Sequence, residues 1–271
     1  MTSILDSLAA RYAHWLSLPD ADTVDVSDEY PNEVRVMPLV LRLERDAPPA
    51  RTAVLAAAAA ASVAVCLDPR STPGGEWHDD VRAWVSSRIR KVARRARGAH
   101  WRAVADLPGV TVRVGGAEVR ALVPGRVVDT PKEVARLQIS GSDLPPDEPP
   151  APAGDLPVLY LNPHVPMTVG KAAAQVGHAS MLLAALLAAT GGADALAAWA
   201  SIDYRCQVRP ASTAEWDARY PADDPAGAWR DRGVVVVRDA GFTEIAPGTV
   251  TVVATWPRPA DGPMWTVPAR A

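Results

Sequence analysis

Cysteine and lysine are nearly missing from this 271-residue chain, and each scarcity restricts what it can be. Cys66 and Cys206 stand in different halves, with no histidine or further cysteine at ligand spacing. That excludes a disulfide framework and a structural zinc site, and it suits a reducing compartment. Long hydrophobic runs are also missing. The alanines at 56–61 are too few and too weakly apolar for the roughly 18 residues a membrane helix needs. The first residues, where Asp6 and Arg11 interrupt Ile4, Leu5 and Leu8, lack the basic start and apolar centre of a secretory signal. These absences predict a cytoplasmic protein with no membrane partner. There is no Gly-x-Ser-x-Gly elbow, no phosphate-cradling Gly-x-x-x-x-Gly-Lys-Ser/Thr loop and no His-Glu-x-x-His helix, so three familiar site chemistries drop out. Of 28 basic residues only Lys91, Lys132 and Lys171 are lysines. A compact ammonium at any of those positions stands out against the default guanidinium.

What is present concentrates in two stretches. The first is Gly170-Lys171-Ala172-Ala173-Ala174-Gln175-Val176-Gly177-His178-Ala179. It follows a strand-like run at 156–161 and opens an Ala-rich segment that reads as helix, with Thr168 as N-cap and Gly191-Gly192 as terminator. Lys171, Gln175 and His178 fall at i, i+4 and i+7 and so share one face. The small residues between them let that helix approach a neighbour or a ligand closely. A lysine in the first turn opposes the helix dipole, which makes it a poor choice for stability alone.

The second stretch is Arg238-Asp239-Ala240-Gly241-Phe242-Thr243-Glu244-Ile245-Ala246-Pro247-Gly248-Thr249-Val250-Thr251. A Val-rich run at 233–238 predicts a buried strand, residues 239–248 have turn chemistry, and 249–256 predict a second strand. Asp239 then sits at a strand end, where open α/β sheets commonly present catalytic groups. An Asx-turn is the structural alternative for the same residue.

Together these motifs resemble those of the type II peptidyl-tRNA hydrolases, over roughly residues 156–257. The resemblance implies a mixed four-stranded sheet with helices on both faces, and hydrolysis of the ester joining a peptide or N-blocked aminoacyl group to tRNA. It implies no metal and no cofactor. Carried over by motif position, Lys171, Asp239, Thr243 and Thr251 correspond to the catalytic group, with Gln175, His178 and Thr249 as substrate-binding neighbours. The segment before the helix departs from the family's Arg-x-Asp-Leu-x-Met-Gly-Lys-Gly-Lys pattern, keeping only Met167, Gly170 and Lys171. The flanking charges of that pattern are missing here. A non-catalytic RNA-binding or regulatory protein that retains the fold is the alternative.

The organisation expected is α/β in two domains. Residues 1–34 carry a helix and an acidic stretch, 35–141 an auxiliary α/β domain, 142–156 a Pro-rich linker, and 157–271 the hydrolase-like three-layer domain. The linker, with Pro145, Pro146, Pro149, Pro150 and Pro152, reads either as a stiff solvated spacer or as an ordered surface strap. Residues 1–150 hold 19 basic and 20 acidic side chains, and 151–271 hold 9 and 11, so any phosphate-binding surface must be local. Residues 82–102 contain eight bases and no acid, with Val81, Trp84, Val85, Ile89, Val92 and Ala96 at three- and four-residue steps. That spacing predicts one amphipathic basic helix bearing the tRNA-binding residues Arg88, Arg90, Lys91, Arg94, Arg95 and Arg97. The six acids at 20–33 are its other candidate partner. Monomer and homodimer both stay open.

The N-terminal half also reads as a degenerate copy of the C-terminal one. Pro38-Leu39-Val40-Leu41 aligns with Pro157-Val158-Leu159-Tyr160, and Lys171, Gln175 and His178 fall on Thr52, Ala56 and Ala59. In that register the first copy has lost every polar group of the helix face, and its last loop is shortened.

Overall fold

The computed structural model describes residues 4–139, 143–152 and 154–257, so Ser142 and Ala153 of the expected linker and residues 258–271 of the expected last domain lie outside the described residues. The fold is α/β with two mixed sheets. In the N-terminal half, α1 (Asp6–Ser17) precedes β1 (Arg35–Arg42), α2 (Arg51–Leu67), α3 (His78–Val85), β2 (Lys91–Ala96) and α4 (Gly98–Ala105). Strands β3 (Gly109–Val114), β4 (Ala117–Leu122) and β5 (Gly125–Arg126) and helix α5 (Lys132–Ala135) complete it. The C-terminal half runs β6 (Val158–Leu161), α6 (Val169–Ala189), α7 (Ala193–Ser201), β7 (Gln207–Pro210), α8 (Thr213–Arg219), α9 (Ala228–Arg232), β8 (Val234–Arg238) and β9 (Val250–Thr255).

The second sheet has the order β7-β6-β9-β8, with β6 parallel to β7 and the other pairs antiparallel. The first repeats it as β2-β1-β4-β3 in the same senses, with β5 added beside the start of β1. Each order follows from its connections: a helical crossover makes the first two strands parallel, and a hairpin makes the last two antiparallel. The halves differ in that hairpin. β3 and β4 are joined by Gly115-Gly116, both at positive φ, whereas β8 and β9 are joined by the long loop that carries Asp239.

Strand alternation divides the packing into layers. Leu159 and Leu161 of β6 and Leu39 and Leu41 of β1 enter one central cluster together with α2 and α6. Val158 and Tyr160 face the opposite way, onto Trp216 of α8 and Ala228 of α9. Val40 likewise faces Trp101 and Val104 of α4 and Val134 of α5. Each sheet thus has helices on both faces, and the two inner helices pack on each other. The Ala56 to Ala61 run is buried throughout because α2 is covered on every side, as an all-round apolar helix must be. Helix α6 is long and apolar enough to cross a membrane, contrary to the reading of its sequence, yet 83% of its apolar window is buried within the protein. Ser180 Oγ donates to Ala59 O at 2.7 Å across the α2–α6 contact. A Cβ on Gly177 would lie 2.5 Å from Ser62 Oγ, so the small residues do permit a close approach.

The halves are therefore not independent cores on a spacer. Helix α1 lies on α6 and covers the edge of β8: Tyr12 Oη accepts from Val236 N at 2.8 Å, and Trp15 Nε1 donates to Arg238 O at 3.2 Å. The Pro-rich segment is an ordered strap, the second of its two readings. Leu144 is buried, Asp147 accepts from Thr52 N at the start of α2, and Arg51 donates to Leu144 O and Met167 O.

The single basic helix at 82–102 is overturned. Residues 78–85 end as α3, 91–96 form β2 paired in parallel with β1, and 98–105 form α4. Val92 and Ala96 of the expected stripe lie four apart on β2, and that step keeps two residues on one face of a strand as it does on a helix, so the spacing imitates a helical stripe. The parallel ladder to β1 decides the matter, through contacts about fifty residues away in sequence.

Candidate active site

The two motifs meet at the N-terminal end of α6. Thr168 caps that helix by accepting from Lys171 N at 3.2 Å, and its hydroxyl donates to Glu244 Oε1 at 2.8 Å. Glu244 thereby ties the helix start to the β8–β9 loop, and it offsets the lysine that the dipole disfavours. The loop is closed at its neck by Asp239 N donating to Thr249 O and Gly248 N donating to Asp239 O, at 2.8 and 2.9 Å. Gly241 has φ +84°, and a Cβ there would lie 2.6 Å from Pro247, so only glycine fits this turn.

Asp239 is 6% exposed, and three of the roughly four acceptor sites of its carboxylate are occupied. Its Oδ2 accepts from Lys171 Nζ at 2.6 Å and from Gln175 Nε2 at 2.8 Å, while Oδ1 accepts from Gly241 N at 2.8 Å. One oxygen makes the Asx-turn, the structural alternative for this residue, and the other makes the ion pair with Lys171. Lys171 Nζ also donates to Thr243 Oγ1 at 2.9 Å. An ammonium has three protons, which leaves one for a ligand. Thr243 and Phe242, the chain's single phenylalanine, are exposed beside it, with the Arg90 guanidinium 4.7 Å from the Phe242 ring centre.

Thr251 requires a correction. It is completely buried, and its hydroxyl lies 2.6 Å from Gln175 Oε1. It cannot touch a substrate. Its effect is to orient Gln175, whose amide then faces Asp239. Gln175, 3% exposed, is likewise a positioning residue and not a substrate contact. Thr249 contributes its backbone carbonyl to the loop neck and is half-buried. His178 continues the α6 face, but its partner comes from the other half: Lys91 Nζ lies 3.0 Å from His178 Nδ1. Burial first, then the charges of Lys91 and Lys171, push the His178 imidazolium well below its ordinary range. Burial also brings Lys91 down to about 7. Sequence reasoning placed Lys91 on a phosphate-binding surface and gave Phe242 and Glu244 no role. Only their sequence proximity to Asp239 could have pointed to the latter two.

The remaining tRNA-binding candidates are dispersed. Arg88 pairs with Asp28 at 2.9 Å, and Arg90 grips Glu29 with both terminal nitrogens at 2.6 Å. Arg94 donates to Leu137 O, Arg95 to Gln138 Oε1, and Arg97 is exposed. The acids at 20–33 are thus the partner of Arg88 and Arg90, and the same segment reaches β8 and the β8–β9 loop through Asp20 to Arg238 and Thr23 Oγ1 to Ala240 O. Hydrogen bonds from Arg90 hold the Glu29 carboxyl below its usual range. Replacing Arg88 and Arg90 together by Gln is expected to speed amide hydrogen exchange across residues 20–33 by about tenfold or more, with the α2–α6 core unchanged. Unaltered exchange in that segment would show that these pairs do not hold it.

No protein-family model, curated protein or solved structure matches this chain.

Proposed function

We propose that the protein is a carboxylic ester hydrolase acting on peptidyl- or N-blocked aminoacyl-tRNA in the cytoplasm. The reading is carried by one observation: Lys171, Asp239 and Thr243 converge at 2.6 and 2.9 Å where a buried polar network reaches the surface. Asp239, held rigidly by Gln175 and Gly241, orients a water and receives its proton as the water oxygen bonds to the acyl carbon. The carbonyl π electrons move onto oxygen, where the remaining Lys171 proton and the Thr243 hydroxyl stabilise the charge. Collapse breaks the bond to the ribose oxygen, which takes from Asp239 the proton drawn from the water, so that tRNA leaves and the carboxylate is restored. Exposed Phe242 is placed to stack on the terminal base. No step requires a metal or a cofactor.

The N-terminal half would then be a degenerate copy whose shared strand order outlived its chemistry. Thr52, Ala56 and Ala59 replace the polar face, and a two-glycine turn replaces the catalytic loop. Of the candidate tRNA contacts Arg97 is exposed, whereas Arg88 and Arg90 are committed to acids. That commitment favours the regulatory form of the second reading, a non-catalytic protein that retains the fold, since the acids beside the loop repel the phosphate backbone of any RNA.

Purified full-length protein incubated with N-acetylaminoacyl-tRNA is expected to release the acyl group without added metal. A minimal N-acetylaminoacyl-adenosine should also be cleaved, more weakly. No release above the spontaneous rate from either substrate would end the hydrolase reading and leave the non-catalytic protein.

A further inference from the structure

Two of the chain's three lysines converge on one face of α6, and the second comes from the opposite half. Lys91 begins β2, where its backbone pairs with Met37, and its side chain runs over Gly177 to reach His178. A Cβ at position 177 would lie 3.1 Å from Lys91 Cε, so that glycine makes room for the lysine stem as well as for α2. The ammonium lies 5.1 Å from the Trp84 ring centre, and no carboxylate pairs with it among the described residues. An arrangement that desolvates a charge without a counter-ion is costly for folding. A methionine of similar shape would fill this space without that cost, which points to a use for the amine.

The use lies in the hydrogen bond. An ammonium has no acceptor, so Nδ1 of His178 must be the acceptor in the 3.0 Å contact. A neutral ring that accepts at Nδ1 carries its proton on Nε2, and that nitrogen makes no hydrogen bond within the described chain. His178 is three residues beyond Gln175 and seven beyond Lys171, at the next place along the catalytic face. We infer that Lys91 is a positioning residue, supplied by the N-terminal half, that locks His178 as its Nε2–H tautomer and so adds an uncharged hydrogen-bond donor beside the Lys171–Asp239 pair. Resting on the hydrolase reading, this assigns His178 Nε2–H to a neutral acceptor oxygen of the substrate, such as a hydroxyl of the terminal ribose. A charged imidazolium would favour phosphate instead, and burial first, then the neighbouring lysines, oppose its formation. The degenerate half would thereby contribute to the site of its partner half.

The groups facing this pair are few. Lys91 meets Cys66 from α2, whose thiol burial pushes up to about 12, the Trp84 ring from α3 and His178 from α6. His178 is influenced by Lys91 and Lys171. None of these is an acid ionised near neutrality. Once Lys91 loses its proton, its amine can accept as well as donate, so the lock is tightest on the acid side of its titration.

The test is nitrogen NMR of the His178 ring at pH 6 in wild type and in Lys91→Met, with kinetics on N-acetylaminoacyl-tRNA. The wild-type ring is expected to be neutral and wholly Nε2–H. In Lys91→Met, which fills the same space without a charge, the tautomers should mix and the ring should titrate nearer its ordinary value of about 6.5. His178→Ala should lower kcat/KM by about tenfold, Lys91→Met by about two- to threefold as the fraction of ring carrying Nε2–H falls, and the double variant by no more than His178→Ala alone, because both changes act through one hydrogen bond. An unchanged tautomer in Lys91→Met, or losses that multiply in the double variant, would overturn the inference. If wild type hydrolyses no acyl-tRNA, the hydrolase reading fails, while the ring spectra still decide whether Lys91 sets the tautomer.

Discussion

Replacing Lys171 by Met or Asp239 by Asn is expected to lower kcat/KM for acyl-tRNA by about 10²-fold or more, as loss of a preorganised charged group does. The two side chains are 11% and 6% exposed and 2.6 Å apart, so each single change also strands the other charge in a poorly solvated place. Breaking such a pair from one side costs about 3 kcal/mol or more of stability. Stability and chemistry must therefore be separated. The double variant Lys171→Met/Asp239→Asn removes both charges, and its thermal stability should return close to that of wild type. Its activity should not return. Recovery of hydrolysis together with stability would make the pair a structural ion pair and relocate the chemistry.

A fragment beginning at residue 157 is expected not to fold alone, although it contains every residue of the proposed catalytic group. Its central helix α6 is buried on the side of Gly177 and Ser180 by α2, and α1 from the N-terminal segment covers both α6 and the edge of β8. Val176, Leu183 and Leu187 lie at three- and four-residue steps from Ser180 and are 0% exposed. Uncovering three or four such side chains forfeits roughly 5–10 kcal/mol at about 1.5–3 kcal/mol each. That rivals the roughly 5–15 kcal/mol by which a whole domain is stable. Circular dichroism and analytical ultracentrifugation of the fragment would decide. A monomeric fragment with a cooperative thermal transition would show that the C-terminal half has a self-sufficient core, and that α2 is an accessory to it.

Much of this was legible because it is local. The Thr168 cap, the helix starting at Arg51, the Val-rich strand before Asp239 and the shortened last loop of the first half are written in capping residues, β-branched runs and glycine pairs. Each depends on neighbours a few residues away. The meeting of Lys171 with Asp239 and Thr243 was accessible through the resemblance of two motifs, not through periodicity. Residues 82–102 were misread for the complementary reason. Val92 and Ala96 share a face on a strand as they would on a helix, and only the pairing of 91–96 with β1, from elsewhere in the chain, decides between the two.

The sequence by itself determined the α/β class and most of the elements, since caps, β-branched runs and turn residues are local, but not the strand at 91–96 that completes the repeated strand order. Only the tertiary structure decided that two expected domains share one core. It also decided that Thr251 and Gln175 act from beneath the site, and that Lys91 crosses from one half to the histidine of the other. Those facts depend on which surfaces α2 and α6 cover. Burial and hydrogen bonding between residues far apart in the chain are properties of packing, which local sequence does not encode.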